Sequence, residues 1–63
     1  MPRDAELVYN FVDSNYGIMY RREIVETLGL SDERYKEAIR YLIKRKLARR
    51  RLKRKGGGIV LLR

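Results

Sequence analysis

The sequence predicts a mainly helical fold with a small β-hairpin near its C-terminal end, an α+β domain. Three segments carry apolar residues at helical spacing, and the turns between them contain glycine or serine. The last third changes character to a basic run, three glycines and four apolar residues. A chain of 63 residues suffices for one domain, residues 1–63, so these elements are expected to share one small core.

The first helix is expected at about residues 3–15. Apolar residues recur there at helical spacing, at Leu7, Val8, Phe11 and Val12. A proline and an aspartate before them are start signals, and an asparagine and a glycine after them are stop signals. On a helical projection the apolar sector spans roughly 200°, whereas one core contact requires about 100°. Part of this helix is therefore available to a second surface.

A brief extended segment and a short helix follow. Residues 17–20, GIMY, are apolar and begin with glycine, which suits a short strand better than a helix. The second helix is expected at about 21–28, where Ile24 and Leu28 share a face. Gly29 then stands where a left-handed residue ends a helix.

The third helix, expected at about residues 32–46, has the clearest pattern. Ser31 precedes it as the N-cap, and two acidic residues follow where the positive end of the helix dipole favours them. The inner face is apolar and comprises Tyr35, Ala38, Ile39, Leu42 and Ile43. Two helices joined through a turn that contains glycine, the second with a charged outer face, make a helix-turn-helix unit.

The remaining residues, about 48–63, predict the hairpin. The stretch RRRLKRKGGG, residues 49–58, places six positive charges in seven residues before three glycines. A free basic tail would not need the IVLL that follows, because four branched apolar residues are unfavourable in water. Strand alternation assigns the residues to two faces: Ala48, Arg50 and Leu52 on one, and Arg49, Arg51 and Lys53 on the other.

The charge is distributed unevenly along the chain. The net charge is +8, but residues 1–33 hold three basic and seven acidic side chains, a net of −4. Residues 34–63 hold thirteen basic and one acidic side chain, a net of +12. A heavily charged surface, as in heat-adapted proteins, explains the total but not this asymmetry. The asymmetry indicates a polyanionic partner, such as nucleic acid or an acidic membrane surface.

The composition argues against several other functions. The chain has no cysteine and no histidine, which removes disulfides, thiolate catalysis, the usual zinc ligands and the ordinary proton shuttle of neutral pH. We therefore expect no enzyme, no metal and no cofactor. No apolar run approaches the roughly 18 residues of a membrane span, and the first residues carry acids where a signal peptide is basic and then apolar. We expect no membrane association and a cytoplasmic location.

The segment REIVETLGLSDERYKEAIRYLIKRKLARR, Arg22 to Arg50, resembles the winged-helix (winged helix-turn-helix) DNA-binding family. The likeness is to small prokaryotic and archaeal transcription regulators, and it extends over nearly the whole chain. The element order is also that of the family: helix, short strand, helix, helix, strand, strand. The resemblance implies sequence-specific binding of double-stranded DNA, a regulatory function and a location at the nucleoid. The third helix would read the major groove, and the basic hairpin, or wing, would clamp the backbone or minor groove.

Carried over by position, the resemblance implies two sets of DNA-binding residues. The set on the recognition helix is Arg34, Lys36, Glu37, Arg40 and Lys44. The set on the wing is Arg49, Arg51, Lys53, Arg54 and Lys55. Within the first set, Lys36 and Arg40 are expected at bases or nearby phosphates, and Arg34 and Lys44 at the backbone.

The chain departs from the family pattern in two places. The acids Asp32, Glu33 and Glu37 stand near the end of the helix that would enter the groove. These acids either contact bases or have structural roles. In the second case Asp32 and Glu33 would serve the helix dipole, and Glu33 and Glu37 would pair with Lys36 or Arg40. Lys46 occupies a position where the family often has glycine, so the passage from helix to wing is expected to be either tighter or more strained.

A homodimer is the preferred assembly, since two-fold dimers match half-sites about one DNA turn apart. The candidate interface residues are Tyr9, Val12, Tyr16, Val60 and Leu62. Alternatively, the tyrosines lie at the rim of the core with their hydroxyls in water, and Leu62 is simply exposed. Two other functions remain open, an RNA-binding module of a ribonucleoprotein and a winged helix that binds a protein or a membrane surface.

Overall fold

The computed structural model describes residues 1–51 and 56–62, and over these it shows an α+β fold of three helices and a three-stranded antiparallel sheet. In chain order the elements are α1 (Arg3–Asp13), β1 (Ile18–Tyr20), α2 (Arg21–Leu28), α3 (Asp32–Lys44), β2 (Ala48–Arg51) and β3 (Gly58–Leu61). This order of helices and strands is the one that the sequence predicts. No helix within the described residues has the length and apolar character needed to cross a bilayer.

Each helix is followed within three residues by a residue with left-handed backbone, and two of these three residues are not glycine. The residues are Tyr16 (φ 70°), Gly29 (φ 67°) and Lys46 (φ 60°). In each case the next residue donates its backbone N–H to a carbonyl five residues earlier, over 2.9–3.1 Å. This pairing satisfies carbonyls that the helix end would otherwise leave without partners.

The first helix stops at Asp13, two residues before the predicted boundary. Polar side chains beyond it bond to the last turn: the Ser14 hydroxyl donates to the Asn10 and Phe11 carbonyls at 2.9 and 3.0 Å. The Asn15 amide also donates to the Phe11 carbonyl, at 2.8 Å. These contacts end the helix before the left-handed turn.

The third helix begins as the sequence predicts and ends earlier than expected. The Ser31 hydroxyl accepts a hydrogen bond from the backbone N–H of Arg34 at 3.1 Å, which confirms Ser31 as the N-cap. The helix ends at Lys44, whereas periodicity extends it to 46. Lys46 lies outside it because its backbone has already turned left-handed, the strain expected where a glycine is replaced.

The sheet places β3 between the two shorter strands, in the order β1-β3-β2. Val60 lies opposite Ile18 on one side and Arg49 on the other, and Ile59 lies opposite Arg50. Because paired residues share a face, Val60 and Arg49 lie on the outer face of the sheet. Ile59 belongs to the inner face, which the helices cover.

The core lies between that inner face and the helices. Its buried apolar residues are Ala5, Val8 and Val12 of α1; Ile24 of α2; Leu30 of the turn before α3; Tyr35, Ala38, Ile39 and Leu42 of α3; and Ala48, Ile59 and Leu61 of the sheet. Packing of α1 against α3 closes the helical layer. An ion pair ties the two helices at their first turns, where Arg34 donates from Nε and Nη2 to both carboxylate oxygens of Asp4, at 2.9 and 2.7 Å.

The burial corrects one predicted interface residue. Val12 is 0% exposed in the core, so it has no surface to offer a second subunit. Val12 lies on the side of α1 that faces α3 and the sheet. Tyr9 is half-buried against the core, whereas Tyr16 is 97% exposed.

We expect Lys46→Gly to stabilise the fold by about 0.5–1 kcal/mol, because glycine adopts left-handed backbone without the penalty that a Cβ atom brings. The greater freedom of glycine in the unfolded chain offsets part of the gain. Urea unfolding followed by circular dichroism measures the difference.

Gly29→Ala is the matched control for that variant. An added Cβ would meet no atom within 4 Å, so the change tests backbone conformation without a steric clash. It should destabilise the fold by about 1 kcal/mol. If both variants shift stability in the same direction, this explanation of the helix ends is wrong.

The ion pair between α1 and α3 predicts a dependence of stability on pH. Hydrogen bonding from Arg34 holds the pKa of the Asp4 carboxyl below its ordinary value. Such a carboxyl adds stability above its unfolded-state pKa, near pH 4, and the stability is lost as the pH falls through the lower folded-state pKa. Asp4→Asn should therefore melt below wild type at about pH 7, and the gap should narrow below about pH 4.

Thermal denaturation at about pH 7 and about pH 3 measures the difference in melting temperature between Asp4→Asn and wild type. Glu6→Gln is the control, because Glu6 is an exposed acid in the same first turn of α1. It shares the interaction with the helix dipole and should lower the melting temperature less than Asp4→Asn does at about pH 7. A gap for Asp4→Asn that does not change with pH would contradict the assignment.

Candidate functional site

A cleft of about 660 Å³ opens between α3 and the adjoining end of the sheet. Five cationic side chains line it, contributed by α2, α3 and β2: Arg21, Lys36, Arg40, Arg50 and Arg51. Its inner wall includes the buried Tyr35 and Ile39, and its rim includes the backbone of residues 56–58. Among the described residues, no acidic side chain lines this cleft. We refer to these five cations and their walls as the cationic cleft.

Helix geometry places two of the cations. Lys36 and Arg40 stand four residues apart, so they lie on the same side of α3, one turn from each other. Each directly follows a buried residue in sequence, Tyr35 or Ile39, which fixes this side of the helix at the edge of the core. The two side chains therefore leave the helix beside the sheet.

Strand geometry places Arg50 opposite them. Arg50 and the buried Ala48 are two residues apart, so both lie on the inner face of β2. Its partner in the register is Ile59, which is fully buried. Arg50 thus projects from the core side of the sheet at the point where the helical layer ends, and its guanidinium enters the cleft. Arg51, opposite Gly58 at the end of β2, completes this wall.

Arg21 joins three segments at the rim of the cleft. Its backbone N–H donates to the Gly57 carbonyl at 2.9 Å, and its Nε donates to the Gly56 carbonyl at 3.4 Å. Its Nη1 donates to Oδ1 of Asp32 at 2.8 Å. Gly56 has a φ of 79°, and a Cβ there would lie 3.3 Å from Arg21 Nη2. Glycine at this position therefore provides both the backbone conformation and the space for the guanidinium.

Two cations of the cleft affect the ionisation of the Tyr35 phenol. Burial raises the pKa of Tyr35 above its ordinary value, and the charges of Arg21 and Arg50 oppose that rise without cancelling it. The phenol therefore stays protonated at pH values at which a tyrosine of ordinary pKa has begun to ionise.

The cleft brings together some of the predicted site residues and not others. Lys36, Arg40 and Arg51 line it. Glu37 and Lys44 are exposed on α3 outside it, and Arg49 lies on the outer face of the sheet opposite Val60. The predicted wing residues Lys53, Arg54 and Lys55 lie outside the described residues.

Arg34 differs most from its predicted role. Its two hydrogen bonds to Asp4 direct the guanidinium towards α1, on the other side of α3 from the cleft. The pairing raises the pKa of Arg34 above its ordinary value, chiefly through the hydrogen bond. Arg34 thus serves to join two helices in this structure.

The acids of α3 differ in the contacts that they make. Asp32 and Glu33 both lie in its first turn, where the helix dipole favours them, and Asp32 additionally pairs with Arg21. Of the acids near this end of α3, Asp32 pairs with Arg21, while Arg34 pairs with Asp4 of α1. The predicted pairing of Glu33 and Glu37 with Lys36 or Arg40 is absent from the described residues.

Sequence reasoning missed Arg21 and Arg50. Alternation along β2 does place Arg50 on the same face as Ala48, and a cation two residues past the last buried position of a strand is a usable signal for a cleft. Arg21 had no comparable signal, because its partner Gly56 is 35 residues away.

Comparison with models of protein families, with curated proteins and with solved structures gives no match for this chain. The described residues also contain no group of three or more carboxylate side chains placed to hold a metal ion. The cationic cleft is thus the feature from which a function can be inferred.

The raised pKa of Tyr35 predicts that this phenol ionises late. Because the folded-state pKa exceeds the unfolded value near 10, this group adds stability that is lost as the pH rises through the folded-state pKa. Ultraviolet titration of phenolate should show a late step that Tyr35→Phe removes. Arg50→Gln should move that step to higher pH, since one opposing charge is gone. A step unchanged by both substitutions would contradict the assignment.

Proposed function

We propose that this chain is a winged-helix domain that binds double-stranded DNA sequence-specifically and acts as a transcriptional regulator. The observation that carries the proposal is the cationic cleft, in which five cations from three elements converge and whose lining includes no acid among the described residues. Such a concentration of positive charge attracts a polyanion and releases its condensed counterions.

The arrangement of α2 and α3 supports a duplex as the ligand. These helices are joined at the left-handed Gly29 and the N-cap Ser31, as in a helix-turn-helix unit. The outer side of α3 is exposed, and a major groove about 12 Å wide admits a helix. In this proposal α3 enters the groove, with Lys36 and Arg40 directed to base edges or to the nearest phosphates.

The strand side of the cleft supports a role in holding the backbone. Arg50 and Arg51 extend from β2, an edge strand whose register is set by its pairing with β3. Phosphate contacts of this kind set the register of a protein on DNA, and base contacts supply the specificity. The sequence-based prediction that Arg54 and Lys55 contact the backbone or minor groove stays part of this proposal.

A homodimer remains part of the proposal, with the sheet's outer face as the candidate interface. Ile18 and Leu62 are each 40% exposed there, and Val60 lies between them on the central strand. The exposed Tyr16 is a further candidate contact. Two copies related by a two-fold axis through this face would present two α3 helices to successive half-sites.

The first test is binding of a fluorescently labelled random-sequence duplex, followed by anisotropy from about 50 to about 200 mM salt. Five phosphate contacts would give a slope of log affinity on log salt of about −4 to −5. Arg50→Gln should make the slope shallower by about 0.9 and weaken binding roughly five- to tenfold near 100 mM salt.

Arg22→Gln is the matched control, because it removes the same charge from an exposed arginine outside the cleft. It should leave the slope nearly unchanged. Equal effects of the two substitutions would show that net charge, and not the cleft, governs binding. Preference for single-stranded or looped RNA over the duplex would favour the ribonucleoprotein alternative.

A further inference from the structure

Arg21 differs from the other cations of the cationic cleft because the structure pairs it with a carboxylate. Its Nη1 lies 2.8 Å from Oδ1 of Asp32, at the start of α3. Asp32 itself does not line the cleft, so this negative charge stands at the rim. The cleft thus holds four cations open to a ligand and a fifth whose guanidinium already binds an anionic oxygen.

The Arg21–Asp32 pair differs in geometry from the Arg34–Asp4 pair. Arg34 and Asp4 make two hydrogen bonds through both carboxylate oxygens, and the Asp4 side chain is only 26% exposed. Arg21 and Asp32 make one hydrogen bond, and the Asp32 side chain is 71% exposed. Two parallel bonds give a guanidinium–carboxylate pair its strength and specificity, whereas a single exposed contact adds little stability. The Arg34–Asp4 pair is therefore the stronger of the two. The carboxylate of the Arg21–Asp32 pair is more easily replaced by another anion.

We infer that Asp32 occupies, on the Arg21 guanidinium, the position that a phosphate of the bound nucleic acid takes, and that binding replaces the carboxylate with the phosphate. This inference rests on the proposed function and concerns the same cleft. Asp32 is therefore an internal competitor of the ligand, which weakens the binding of any duplex. Release of the carboxylate into water is easy because its side chain is already mostly exposed.

The backbone around Arg21 permits this exchange without a change of fold. The bond from the Arg21 N–H to the Gly57 carbonyl, at 2.9 Å, holds the residue in place whichever anion the side chain binds. The bond from Nε to the Gly56 carbonyl is longer, at 3.4 Å, and so restrains the guanidinium only weakly. The absence of a Cβ at Gly56 leaves the space in which the guanidinium can turn.

The test is a double-mutant cycle on the anisotropy of a labelled random-sequence duplex at one salt concentration. Asp32→Asn removes the competing carboxylate. Glu33→Gln is its matched control, because Glu33 is the next residue, is exposed and lies in the same first turn of α3. Both variants lose one negative charge and one contact with the helix dipole, so any difference between them reports the contact with Arg21. Each is also made in an Arg21→Gln background, and thermal melts confirm that every variant is folded.

We expect Asp32→Asn to tighten binding about two- to fivefold beyond Glu33→Gln, the range that an exposed ion pair supports. In the Arg21→Gln background this excess should disappear, because the partner of Asp32 is gone. Equal gains for the two variants, or weaker binding by Asp32→Asn, would overturn the inference while leaving the proposed function intact. Absence of duplex binding by the wild-type protein at low salt would overturn both.

Discussion

The structure depends on the pairing of one apolar strand, β3, with a strand on either side. A domain this small has few residues with which to build a core, and β3 supplies Ile59 and Leu61 to it. The same pairing fixes where β2 lies, because each residue of β2 has a set partner on β3. Arg50 faces α3 because its partner is the buried Ile59. The cationic cleft is thus a consequence of how the core is closed.

Local signals in the sequence were sufficient to predict the elements and their order. Ser31 and Gly29 act at the helix boundaries for the reasons that the sequence suggests, a side-chain cap and a left-handed backbone. The ends of α1 and α3 were harder to place, because non-glycine residues there adopt the same left-handed conformation. Periodicity continues through such residues, since it records which side chains are apolar and not where the backbone turns. Helix ends of this kind require tertiary structure to locate.

A residue of the site could be predicted from sequence only where its position follows from a single helix or strand. Lys36 and Arg40 share a helix face by spacing alone, so sequence identifies them. The roles of Arg21 and Arg34 depend on partners distant in sequence. Arg34 contacts Asp4, 30 residues away, so its guanidinium is directed to α1 and not to the cleft. Burial likewise removed Val12 from the surface, because the wide apolar sector of α1 is used mostly by the core. Pairing between distant segments decides these cases.

The crowding of five cations in one cleft gives salt two opposite effects on this molecule. In the free protein, like charges repel, so folding brings together groups that the unfolded chain keeps apart. Added salt screens that repulsion over distances of about 10 Å and thus favours the native state. In a complex with a polyanion, the same salt reduces the gain from releasing counterions. The ionic strength at which the native state of the free protein is most stable is therefore not the one at which the protein binds a polyanion most tightly.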